Sequence, residues 1–86
     1  MERTVSEVFI SHNILKVTVT NIICEECNFK EDRHIVRIIF NDISGTNMKC
    51  NGQPTGNIKI EFRGESEAQT LLEGLKMIVT ELETYK

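Results

Sequence analysis

Across residues 66–85, seven apolar side chains recur at the spacing of one helical face: Ala68, Leu71, Leu72, Leu75, Ile78, Val79 and Leu82. At about 3.6 residues per turn they merge into a single stripe. A stripe that wide needs an apolar surface to lie on. The helix start is also written in the sequence: Ser66 and Gln69 have the spacing of a capping box, and Gly64 marks the break before it.

The preceding residues are patterned to supply the surface. Residues 15–20 and 58–63 alternate apolar and polar with period two, the mark of strands with one buried face. Residues 35–40 set Val36, Ile38 and Phe40 on one side and Ile35, Arg37 and Ile39 on the other. The N-terminal run is rich in strand-forming residues but apolar on both faces, with Val8, Phe9 and Ile10 consecutive. His12–Asn13, Ser44–Gly45 and the stretch 51–56, which holds the single proline, read as turns.

These patterns predict strands at about 4–11, 14–21, 34–41, 46–50 and 57–63 and a helix at about 66–85. The fold class is α+β: an antiparallel meander of four to five strands with one C-terminal amphipathic helix packed on one face. The face beneath the helix is expected to carry Leu15, Val17, Val19, Val36, Ile38, Phe40, Ile58, Ile60 and Phe62. Leu75→Ala is then expected to cost roughly 2–5 kcal/mol. Eighty-six residues support one core but hardly two, so 1–86 reads as a single domain.

With 40% hydrophobic and 27% charged residues, neither a disordered nor a membrane composition fits. No apolar run approaches the roughly 18 residues of a membrane span, and the N-terminus lacks a signal-peptide core. The chain is expected to stay where it is made. Three cysteines cannot all pair within one chain, which favours a reducing cytoplasm over secretion. A single alanine beside abundant Ile, Asn and Lys suggests an AT-rich coding genome, as in some bacteria and their phages.

Cys24 and Cys27 have the two-residue gap that aims two thiolates at one Zn²⁺. If alternate connections of a five-stranded meander fall at one end, Cys50 approaches that pair, and His34 completes a Cys₃His set. The competing reading is of buried or incidental thiols, since Cys50 shares the inward phase of Met48. Glu25 and Glu26 disfavour a reactive thiolate. No phosphate-binding glycine motif opens a helix, and two histidines at opposite ends of the sheet build no relay. The chain reads as a non-enzyme.

The strand face away from the helix is expected to show Lys16, Arg37, Lys49, Lys59 and Arg63 against Glu61, with Ile35 and Ile39 between them. Apolar residues rimmed by charge resemble an interface with a polar margin. Ile35, Arg37, Ile39, Lys16, Lys59 and Arg63 are therefore the expected partner-binding residues, with a homodimer as the default. A net charge of -3 and the lack of aromatics among those cations argue against nucleic acid. The function expected is a small non-catalytic intracellular protein-interaction module, a bacterial or phage regulator or inhibitor of a larger protein. The alternative is a zinc-stabilised accessory module touching nucleic acid through the basic face.

Overall fold

A computed structural model describes residues 1–84; the expected helix end at Tyr85 lies outside them. Six strands and one helix follow in order: β1 Glu2–Ile10, β2 Ile14–Ile23, β3 His34–Ser44, β4 Lys49–Cys50, β5 Gln53–Pro54, β6 Asn57–Arg63 and α1 Glu65–Thr84, with a 3-10 turn at Lys30–Asp32. The main sheet is an antiparallel meander of four strands in the order β1-β2-β3-β6, and the expected α+β class holds.

The expected strand at 46–50 does not join this sheet. Lys49–Cys50 and Gln53–Pro54 instead form a separate two-residue ladder within the β3–β6 connection. The local sequence allows little more. Asn51 and Gly52 both have positive φ, 52° and 78°, the Asn-Gly hairpin turn of primed type, and Pro54 has no N–H to extend the ladder.

Register fixes the two faces. Val17 pairs with Phe40, Val19 with Ile38 and Asn21 with Val36, while Phe40, Ile38 and Val36 pair with Ile58, Ile60 and Phe62. Apart from Asn21, these are residues the alternation assigns to the helix side. On β1, Val5 opposite Val19 and Phe9 opposite Leu15 share that side, whereas Val8 and Ile10 face away. At the far end the register shifts between Ile14 and Leu15, leaving Ile43 extra as a bulge.

The helix begins earlier than its capping box predicts. Ala68 N–H donates to the Gly64 carbonyl at 3.0 Å, which makes Gly64 the N-cap, and Gly64 N–H donates to the His34 carbonyl at 2.7 Å. Gly64 has φ +121°, which favours glycine, and it is buried. No hydrogen bond from the Ser66 hydroxyl occurs among the described residues; the Ser66 carbonyl accepts from Thr70 Oγ1 at 2.9 Å. Glu65 and Glu67 in the first turn complement the helix dipole.

Candidate functional site

The helix is seated on the sheet at one end only. Ala68 is buried, Leu71 and Gly74 are half-buried, and every residue from Leu75 to Thr84 is exposed. Leu82, the last of the stripe, is 68% exposed. On the helix side of β1 and β2 the sheet is also uncovered: Val5, Phe9 and Val19 stand open, Phe9 at 50%. Among the described residues the buried apolar ones are three, Ile35, Ile38 and Ala68, each 7–8% exposed. Between the two surfaces runs a cleft of about 230 Å³ lined by Val19, Val36, Ile38, Ala68, Leu71, Leu72 and Leu75. Its polar members are Asn21 and His34, joined through Oδ1 and Nε2 at 2.7 Å.

The opposite face differs from the expected interface. Ile35 is only 7% exposed, and Arg63, its partner on β6, reaches the 3-10 turn of the loop after β2. Arg63 Nη1 donates to Asp32 Oδ1 of that turn at 2.8 Å. Arg37 Nε and Arg63 Nε donate to the two oxygens of Glu61 at 2.6 and 2.9 Å. Those hydrogen bonds, Arg37 first and Arg63 second, hold the Glu61 carboxyl below the usual carboxylate range. Ile39, opposite Thr18 on one side and Lys59 on the other, is half-buried.

A row of hydroxyls crosses the same face, with Thr4 bonded to Thr20 at 3.0 Å and Ser6 to Thr18 at 2.8 Å. Lys16 and Lys59 remain exposed there, and Lys49 sits in the β4–β5 hairpin, off the sheet. The six expected binding residues thus share one face, as expected. The apolar patch among them is broken up: Ile35 is covered, and Val8 and Ile10 lie beyond the hydroxyl row.

The expected ligand set is not assembled. Cys24 and Cys27 are joined as a disulfide with Cα atoms 5.6 Å apart, a state that an oxidising environment maintains. Cys24 follows β2 at the end where Ile23 pairs with His34. Cys50 lies in the connection beyond the other end of β3, where Thr46 Oγ1 donates to the Ile14 carbonyl at 3.3 Å. Eleven residues of β3 put these ends roughly 35 Å apart. With four sheet strands instead of five, the two connections fall at opposite ends, so Cys50 joins the end of His12 and leaves that of His34. Among the described residues no three His, Cys, Asp or Glu side chains cluster as metal ligands. A second cleft, about 370 Å³ at the helix N-terminus, has Lys30, Arg33 and Arg63 against Glu31, Glu65 and Glu67, so its charges balance.

The open apolar cleft is what strand-face reasoning missed. Its signals were a stripe running the full helix length and a first strand apolar on both faces. No family model, curated protein or solved structure matches this chain significantly.

Proposed function

We propose that this chain is a non-catalytic protein-interaction module, a small regulator or inhibitor of the kind encoded by bacteria and phages, which works through the helix-side face. One observation carries the reading. The chain exposes 6858 Å², whereas a folded monomer of 9.9 kDa exposes roughly 5,200 Å². Val5, Phe9, Val19, Leu72, Leu75, Ile78, Val79 and Leu82 all stand exposed on the helix side, and a monomer rarely leaves such a set in water.

Charge argues for protein over other partners. The net charge of -3 disfavours nucleic acid. The described helix carries Glu65, Glu67, Glu73, Glu81 and Glu83 against Lys76, the reverse of a membrane-surface helix. No helix among the described residues is long and apolar enough to cross a membrane.

The test sets this face against the one expected from the sequence. Immobilised wild-type chain, a Val79→Asp/Leu82→Asp variant and an Ile39→Asp variant are each exposed to native-host extract. A partner retained by the wild type and by Ile39→Asp, but lost from the helix variant, supports the helix-side face. Loss from Ile39→Asp alone returns the site to the strand face.

A further inference from the structure

We infer that the partner of the helix-side face is a second copy of this chain, seated face to face about a two-fold axis. The free half of each helix, from Leu75 to Leu82, lies on the open β1–β2 half of the other sheet. The inference rests on reading the helix-side face as the working surface, and it adds what fills that face.

Area comes first. The surplus of roughly 1,650 Å² per chain is about twice the 800 Å² or so that each partner gives to a standard interface. It falls inside the range of obligate homodimers, which bury roughly 1,000–2,500 Å² per partner. Shape agrees. The radius of gyration is 14.9 Å and the longest extent 45 Å, against about 12 Å for the radius of a compact chain of this length.

Complementarity then selects the occupant. The open half of the sheet, with Val5, Phe9 and Val19, lacks a helix to cover it. The free half of α1, with Leu75, Ile78, Val79 and Leu82, lacks a sheet. Each copy therefore supplies what the other lacks, and a two-fold satisfies both deficits with one self-complementary contact. The charges on the helix side of β1 and β2 are Arg3 and Glu7, one of each sign, so an acidic helix meets no net repulsion there. At 1.5 Å per residue, the 20-residue helix spans about 30 Å, enough to rest its first half on its own sheet and its second on a neighbour's.

Sedimentation equilibrium from low to high micromolar concentration, with an apolar fluorescent dye in parallel, tests the inference. The wild type is expected at twice the 9.9 kDa chain mass with little dye binding. Phe9→Lys on the sheet and Leu82→Lys on the helix are each expected to weaken association at least ten-fold, with helical circular dichroism retained and dye binding raised. Leu82 is 68% and Phe9 50% exposed in the single chain, so Leu82→Lys is the variant that disturbs its own packing less.

A wild type that stays monomeric and binds dye overturns the second copy but leaves an open face for another protein. A wild type that is monomeric and binds no dye overturns both, since the helix must then have closed on its own sheet. A dimer that neither substitution weakens places the contact elsewhere and overturns the proposed seating. The wild-type measurements stand even if a lysine variant fails to fold.

Discussion

Ile38 and Leu75 face each other across the same cleft, yet their environments differ enough to reorder what the sequence predicts for them. Ile38 is 8% exposed and sits beneath the seated half of the helix. Ile38→Ala should cost about 2–4 kcal/mol at any protein concentration, by lost transfer energy and the cavity left behind. Leu75 is 39% exposed, so in dilute protein Leu75→Ala should cost only about 1 kcal/mol. Urea denaturation of both variants at low micromolar concentration checks the order. Alternation identified the inward residues of β2, β3 and β6, and the register bears them out. Period-two patterning says which way a side chain points. It cannot say whether anything lies above it, and so the expected 2–5 kcal/mol for Leu75 assumed a cover that the single chain lacks.

Glu61 carries the charge prediction at this scale. Its pKa is lowered from about 4.5 by hydrogen bonds from Arg37 and Arg63. A depressed carboxylate stabilises the fold above its unfolded pKa and loses that contribution as pH falls through the folded value. Stability should therefore decline below about pH 4.5, modestly, because the trio is exposed and salt-screened. Glu61→Gln should flatten that part of the acid limb, and an acid limb identical to wild type would show that the trio contributes nothing.

The four-strand order and the helix were readable because each rests on local periodicity. The fifth strand failed because the turn at 51–56, read as a link between two sheet strands, instead folds Lys49–Cys50 back onto Gln53–Pro54 within the connection. Its loss had a long reach: removing one strand from a meander reverses the end at which the next connection falls, and Cys50 moved with it. The helix start shows the same limit at smaller scale. Ser66 and Gln69 match a capping box, but the positive φ of Gly64 and its bond to the His34 carbonyl put the N-cap at Gly64 rather than Ser66. Gly64→Ala should thus cost roughly 1–2 kcal/mol, the penalty of a Cβ in left-handed backbone. Ser66→Ala should be nearly neutral, where a true cap would lose about 1 kcal/mol. Thermal melts of the two variants distinguish a helix capped at Gly64 from one capped at Ser66.

For the whole molecule, the central fact is a core begun but not closed. Among the described residues three apolar ones are buried, while Val5, Phe9 and Val19 on the sheet and the stripe from Leu75 to Leu82 on the helix stay exposed. Composition counted enough apolar residues for a domain and said nothing about how many meet within one chain. Patterning favoured the strand face, where Ile35 and Ile39 flank Arg37, because the Arg37–Glu61 and Arg63–Asp32 ion pairs that cross it join residues distant in sequence. If a second copy closes the core, association stabilises the folded chain and its stability depends on concentration. The most direct measurement is the thermal midpoint over a hundred-fold range of protein concentration. The account predicts a midpoint that rises steadily, by the equivalent of about 2.7 kcal/mol over that range; a midpoint that stays flat would contradict it.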